Sequence, residues 1–378
     1  MNIKSFISAT VSKVGVQIKY RKPIKVVCIR GEKPVRWLSE TTEQIMQFYM
    51  SVPPFYDDSV IPALKIAGAW LGDLIDRRKL QMEAIKNNDS NAYGQLIGDL
   101  FRSELLSGLW NFSYFKDRKT IDPRFFDDIE DFEIETGRLR ETLVSQKPFP
   151  GEWGLNCVCG GGVIKYTDPD HGRQANRILM MLDYLNRSDS TVVDIGSGFG
   201  GMAKYLVLWS RKPITVILID IPLNLTTAFA YLMHQLPDYE IILVSDLTEL
   251  IKSAEIGAES RLILVPTIYG EAVVNAYGAT LLHNAHSFSE MDYVSVQYYL
   301  KHFVLAKTDA VIETNSGLEG STNYGGHVEI NTHEIEEILK PNLIPVSRVR
   351  ERNTRYVTTT YLPKIKLNEN TDSVKLFA

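Results

Sequence analysis

Cysteine is scarce in this chain, with 3 residues in 378, at positions 28, 157 and 159. So few thiols, in odd number, exclude a disulfide-stapled extracellular scaffold and fit a reducing compartment, which makes the cytoplasm the expected location. Cys157 and Cys159 stand one residue apart with no second pair. That spacing suits neither a zinc site nor a thioredoxin-type redox motif, and the two read as small buried or half-buried thiols. Basic charge is not in excess either: 41 Lys and Arg against 46 Asp and Glu leave a formal net charge of -5 and a pI near 5.9. A nucleic-acid partner, which would favour a basic stripe, is not expected. Long apolar runs are missing as well. Residues 61–75 are interrupted by Lys65 and Asp73 and fall short of the roughly 20 residues that cross a bilayer, so they read as an amphipathic helix and no membrane insertion is expected. The opening residues 1–7 carry no charged region followed by a sustained apolar core, so no secretory signal is read there. Internal repeats and low-complexity tracts are absent.

Against these absences stands one dense motif, Val192-Val193-Asp194-Ile195-Gly196-Ser197-Gly198-Phe199-Gly200-Gly201. It reads as an apolar strand ending in an acid, then a turn too rich in glycine for side chains, then a helix from about Met202. Such a turn lets main-chain N–H groups approach a ligand at a helix N-terminus. A second strand, 215–219, ends in Asp220, whose carboxylate is placed to accept both hydroxyls of an adenine nucleoside's ribose. Gly196, Gly198 and Gly201 also satisfy the dinucleotide pattern G-x-G-x-x-G, so a nicotinamide-dependent oxidoreductase is one reading. Asp194 argues for another. Two residues before the first glycine, a carboxylate would repel a pyrophosphate but suits a cationic amino-acid tail. With Gly200 opening the loop further, Asp-x-Gly-x-Gly-x-Gly points to S-adenosylmethionine.

The surrounding pattern predicts two regions. Residues 1–150 hold no nucleotide motif and are mainly helical, with Ile66, Trp70 and Leu74 at four-residue spacing and Leu96, Leu100, Leu105 and Leu106 continuing it. They read as a lid or a dimerisation layer, the latter implying a homo-oligomer. Residues 151–378 alternate strand and helix: a helix over about 174–185, strand 191–195, helix 202–210, strand 214–219 and helix 224–235. Residues 241–244 and 262–265 are both strand candidates, and the pattern does not say which is the third strand of the sheet. Strand 280–283 then leads into a long helix reaching about 307, and strand 310–313 follows. The chain closes on runs 344–349 and 356–362, which read as an antiparallel pair. A dinucleotide sheet ends on a parallel strand, so this ending favours the S-adenosylmethionine reading.

The segment Asn284-Ala285-His286-Ser287-Phe288-Ser289-Glu290-Met291 follows a central strand, where open α/β sheets bind ligands. Ser287 and Glu290 have the spacing of a capping box; Asn284 and His286 are not explained by capping. Together with residues 194–201 and Asp220-Ile221-Pro222-Leu223, this segment resembles the sugar O-methyltransferase family. The looser lead-in Glu152-Trp153-Gly154-Leu155-Asn156 is similar too, and the likeness covers residues 150 to 378. It implies a Rossmann-like α/β fold, the seven-stranded sheet of class I methyltransferases with its last strand antiparallel, behind the helical N-terminal region. It also implies S-adenosylmethionine as cofactor and a sugar or nucleotide-sugar hydroxyl as acceptor, in surface-polysaccharide or related glycan assembly. A methyltransferase-like protein without catalysis, acting as a partner in glycan synthesis, is the third reading.

Candidate cofactor residues are Asp194, Gly196, Ser197, Gly198, Gly200, Gly201, Asp220, Asn284 and, for the adenine, Asp246. A sugar hydroxyl is a poor nucleophile, so a general base contributing on the order of 10²–10⁴-fold is expected. His286 comes first, since histidine titrates near neutral pH. Glu290, Glu313 and His327 stand in reserve, the last within a long glycine-rich loop. No run of carboxylates favours a resident metal, although Glu313 and Asn315 have oxygen atoms that suit a divalent cation.

Overall fold

The computed structural model describes residues 25–26, 39–52, 78–98, 124–145, 149, 157–159, 162–165, 167–187, 189–248, 259–304, 308–317, 330–351 and 356–364. The stretches 53–77, 99–123, 150–156 and 318–329 lie outside them, and with them His327, the lead-in around Trp153 and the helical pattern from Ile66 to Leu74.

Helices α1 (Ser39–Ser51), α2 (Lys79–Lys86), α3 (Ser90–Gly98) and α4 (Arg124–Thr136) precede the sheet. Helix α5 (Asp168–Leu185) leads into strand β1 (Ser190–Ile195). It begins six residues before the apolar periodicity does, because Asp168, Pro169 and Asp170 form a helix-start signal in its first turn. Then follow α6 (Gly201–Trp209), β2 (Ile214–Asp220), α7 (Pro222–Gln235), β3 (Glu240–Leu243), β4 (Arg261–Pro266), α8 (Gly270–Tyr277) and β5 (Leu281–Ala285). The remainder is α9 (Ser287–Glu290), α10 (Tyr293–Tyr299), β6 (Ala310–Ser316), α11 (Thr332–Leu339), β7 (Leu343–Arg350) and β8 (Tyr356–Pro363). A separate three-stranded sheet joins Lys25–Val26, Cys157–Cys159 and Gly162–Ile164.

The main sheet has 8 strands in the order β7-β8-β6-β5-β1-β2-β4-β3. Six pair in parallel, and β8 runs antiparallel to both β6 and β7. The expected α/β sheet with an antiparallel closing strand is present, with one strand more than the expected seven. Both ambiguous segments are strands, and β4 enters between β2 and β3, pushing β3 to the edge. The sequence order reverses at β1, whose neighbours are β2 and β5, so the switch-point crevice opens above β1 and β5.

Strand alternation gives the sheet two apolar faces. Val192, Val216, Leu218, Leu264 and Leu281 face α5, α6 and α7 through Ile178, Leu206, Phe229 and Leu232. Ile45, Phe48, Tyr93 and Phe132 of the N-terminal helices belong to that same cluster. On the other face Val193, Ile195, Ile219, Val265 and Leu282 meet Val273, Phe288, Val296 and Leu339. The expected long helix after β5 is interrupted. Helix α9 stops at Met291, whose backbone is extended, and Asp292 caps a new helix by accepting from the Ser295 N–H at 2.7 Å. Among the described residues no helix is long and apolar enough to cross a membrane.

Close packing of α5 depends on Gly172. A Cβ there would lie 2.8 Å from both Leu143 Cδ2 and Phe132 Cε2, and 3.1 Å from Trp209. Gly172→Ala is expected to destabilise the protein by about 1–3 kcal/mol through overpacking, despite alanine's better helix propensity. Urea unfolding checks it, and an unchanged midpoint would contradict this packing.

Candidate functional site

The glycine turn joins β1 to α6 with positive φ at Gly196 (71°), Gly198 (58°) and Gly200 (80°). These left-handed values strain any residue with a side chain. At Gly196 space forbids one as well, since a Cβ would run into the Ser287 side chain. Gly200 is the N-cap of α6, and the turn closes with Gly200 N–H donating to Ser197 O at 3.1 Å. Gly201 has its own constraint: a Cβ there would collide with the His171 ring.

Asp220 ends β2 beside the turn. Its Oδ2 accepts the Gly198 N–H at 2.8 Å, and its Oδ1 accepts the Ile221 N–H at 2.7 Å and Asn224 Nδ2 at 2.9 Å. Burial nevertheless dominates and pushes its pKa up to about 6, with these three donors and the Arg78 guanidinium opposing the rise. Arg78 immediately precedes α2, so the N-terminal helical layer reaches the Asp220 side of the crevice. Gln81 of α2 fastens that layer by donating to Thr226 Oγ1 on α7 at 3.3 Å.

Asp194 is buried near the end of β1, in register with His283 on β5. Its Oδ1 lies 2.8 Å from His283 Nδ1. Sequence reasoning missed His283, although a histidine closing the apolar run Leu281-Leu282 was a visible anomaly.

Asn284 is placed differently from expectation. It is fully buried, and its Nδ2 donates to Ile195 O at 2.8 Å and to Ser287 Oγ. Its Oδ1 accepts from Asn315 Nδ2 at 3.0 Å and from the Phe288 N–H at 3.3 Å. With both ends engaged inside the protein, it braces the crevice and does not present itself to a ligand. Nor does Ser287 cap α9. Its hydroxyl crosses to Ile195 O at 3.0 Å, and the N-cap position belongs to His286. The reciprocal capping box forms instead at Asn331 and Glu334. Glu290 closes the four-residue α9, half-buried.

His286 has φ 67° and a backbone N–H held by Thr314 O at 2.7 Å, with its ring edge-on to Tyr356 at 4.3 Å. Burial lowers its pKa, while the nearby Asp170 and Glu351 carboxylates pull the other way. Asp170 also faces His171, which burial brings down to about 4. Asp246 is exposed three residues past the end of edge strand β3, accepting the Thr248 N–H, and β4 stands between β3 and β2. The register neighbour of Asp220 is Pro266, so the structure does not bring Asp246 beside Asp220.

Glu313 of β6 is fully buried among Asn315 Nδ2 at 2.9 Å and the Tyr361 hydroxyl at 3.4 Å, and burial pushes its pKa up to about 7. Among the described residues no group of three or more His, Cys, Asp or Glu could hold a metal ion.

No family model and no curated protein matches the chain. Solved structures with a similar fold include the magnesium protoporphyrin IX methyltransferase from Synechocystis PCC 6803 with bound SAM, at 11% identity and a TM-score of 0.35, covering 65% of this chain and 100% of that one. An S-adenosylmethionine-dependent methyltransferase from Clostridium acetobutylicum ATCC 824 shares 12% identity at a TM-score of 0.32, covering 51% of this chain and 92% of that one. At such identities the likeness concerns the fold alone.

The Glu313 environment makes a pH prediction. Its folded pKa of about 7 exceeds the ordinary 4.5, so the folded state binds more protons in that window and stability falls as pH rises through it. Glu313→Gln removes the charge and keeps an oxygen to accept from Asn315, while its Nε2 donates to the Tyr361 oxygen in place of the donation Tyr361 now makes. Relative to wild type, the variant is expected to gain thermal stability at pH 8 over pH 5. A melting-temperature difference that does not change between these pH values would contradict the buried-carboxyl assignment.

Proposed function

We propose that this chain binds S-adenosylmethionine in the crevice above β1 and β5 and methylates a hydroxyl of a sugar or glycan precursor. The observation that carries the reading is the pairing of the glycine turn with Asp220, whose carboxylate reaches the Gly198 amide inside the turn. A carboxylate offers about four acceptor positions, and three are taken, leaving one on Oδ2 for a ribose hydroxyl. Asn224 Oδ1 beside it and Ser197 Oγ in the turn are buried polar atoms without a hydrogen-bond partner among the described residues. Buried polar atoms left unpaired are costly, so these fit a nucleoside ligand that satisfies them. The reversed β8 and the carboxylate at Asp194 favour this cofactor over a dinucleotide, whose phosphates Asp194 would repel.

When bound, that cofactor supplies a methyl group carried on a sulfonium sulfur. The chain's contribution is alignment and proton removal. Orientation of reacting groups is worth effective molarities of about 10⁵–10⁸ M, and the braced β1 and β5 ends provide a rigid frame for it. His286 takes up the proton that the acceptor hydroxyl loses. Its lowered pKa keeps the imidazole neutral at neutral pH, and Nδ1 has no partner among the described residues. The hydroxyl acceptor, and sugar as its class, rest on the sequence segment from Asn284 to Met291. Asn284 serves there as the brace.

Isothermal titration with S-adenosylhomocysteine and NADH separates the two cofactor readings; binding of NADH alone would overturn this one. Asp220→Ala is expected to weaken S-adenosylhomocysteine by about tenfold or more, the worth of one charged hydrogen bond. Wild-type affinity should fall as pH drops below about 6, where Asp220 takes up a proton and loses acceptor capacity. His286→Gln should leave that binding unchanged. In radiolabelled methyl transfer to candidate nucleotide sugars, its turnover should drop on the order of 10²–10⁴-fold.

A further inference from the structure

Arg78 is a charged side chain enclosed in the interior, 1% exposed at the N-cap position of α2. A guanidinium so far from water is costly without an opposing charge. Its place follows from Gln81, one helical turn further along the same face. Gln81 is fully buried, and its Nε2 donates to the Tyr93 hydroxyl of α3 and to Thr226 Oγ1 of α7, each at 3.3 Å. Thr226 lies two residues beyond Asn224, whose amide holds Asp220 Oδ1 at 2.9 Å. The N-terminus of α2 is thereby pinned near the first turns of α7, where Asp220 ends β2. The Arg78 charge acts on both sides of this junction: it pulls down the Asp220 carboxyl and the Tyr93 phenol, each of which burial pushes up. The other titratable groups around Asp220 bring no positive charge. Tyr299, at the end of α10, is raised by burial and by Asp220 itself, so its phenol stays neutral. Asp194 of β1 is in register with Leu218, two residues short of Asp220, and is engaged by His283.

We propose that Arg78 is a positioning residue for the crevice: seated with α2 on α7, its charge supports the Asp220 carboxylate, and a ligand bound there holds the N-terminal helices in place. The inference rests on the S-adenosylmethionine reading and adds regulation to it. An ionised Asp220 only accepts, and hydrogen bonds to a charged acceptor are the stronger kind. Withdrawing the guanidinium removes the charge that favours this form. Coupling between two sites is reciprocal, so a ligand that selects the ionised carboxylate also selects the seated layer.

Isothermal titration with S-adenosylhomocysteine between about pH 5 and pH 8 tests this on wild type, Arg78→Met and Arg78→Lys. In the wild type the acid fall in affinity is centred near the Asp220 pKa of about 6. Without the guanidinium it is expected about one pH unit higher, the effect of an arginine beside a carboxylate. Arg78→Met should therefore bind about fivefold more weakly than wild type near pH 6 and nearly equally near pH 8. Arg78→Lys keeps the charge and should keep the wild-type profile. Weakening by one factor at every pH would give Arg78 a packing role and overturn the proposal, as would an unchanged profile in Arg78→Met. Hydrogen exchange on the wild type decides the matter even where the variants fail to fold. By reciprocity, saturating S-adenosylhomocysteine near pH 6 should slow the amides of α2 and α3 about fivefold, and unaltered exchange overturns the proposal. In each of these failures the ligand still binds, so the cofactor reading stands; no binding to the wild type overturns both.

Discussion

The carbonyl of Ile195 is the point on which the crevice depends. It is the last main-chain acceptor of β1, and it receives Asn284 Nδ2 and Ser287 Oγ from the end of β5. Two loops that leave adjacent strands are thereby locked together where they diverge. The lock extends sideways, because Asn315 of β6 donates to Asn284 Oδ1 and accepts from Ser289. Gly196 can carry no side chain because Ser287 fills the space a Cβ would need. The shape of the glycine turn is thus imposed from the neighbouring strand as much as by the turn's own sequence. His286 is held at φ 67° between Ala285 and Ser287, a conformation that costs about 1–3 kcal/mol outside glycine. The tie at Ile195 keeps it there.

Three buried carboxylates stand on the sheet, Asp220 and Asp194 near the ends of β2 and β1 and Glu313 within β6, and each meets the cost of burial differently. Asp220 gathers two backbone amides and the Asn224 side chain, and is still pushed up to about 6. Asp194 is partnered by an imidazole. Glu313, among neutral donors, is pushed up to about 7. Amides aimed at a carboxylate favour its charged form, whereas Glu313 has one amide side chain and a long contact to a phenol. Glu313 therefore serves the packing beneath the crevice. It is a poor reserve base, since its carboxylate is closed off from any acceptor.

Much of the sheet was legible because its signals are local. The glycine turn, the acids closing β1 and β2 and the two closing runs are short patterns with direct steric causes, and they fall within one or two residues of their observed limits. What was not legible depends on contacts distant in sequence. Ser287 and Glu290 have capping-box spacing, but the hydroxyl has a better partner 92 residues away in Ile195. Asp246 follows a genuine strand, yet its distance from Asp220 depends on β4 entering the sheet between them, which hydrophobic runs cannot reveal. The break at Met291 was hidden because Asp292 is a good cap inside an otherwise helical pattern. The tie between the N-terminal helices and α7 through Gln81 and Thr226 spans 145 residues and leaves no local trace.

One strand end gathers three roles, and strand geometry explains how they fit. Side chains alternate between faces, so Leu281 belongs to the apolar face beneath α5 and Leu282 to the opposite one. By the same alternation His283 lies on the α5 side, where it meets Asp194, and Asn284 on the other, where it meets Asn315 and Ser287. The strand then ends, and His286 escapes the alternation through its left-handed backbone, which turns its ring toward Tyr356 of the reversed β8. Shifting this register by one residue would exchange His283 with Asn284 and leave Asp194 and the Ile195 carbonyl without their partners. The pairing of β5 with β1 therefore sets the positions of Asp194, His283, Asn284 and the Ile195 carbonyl, and the apolar residues that fix this register are as necessary to the site as the polar ones.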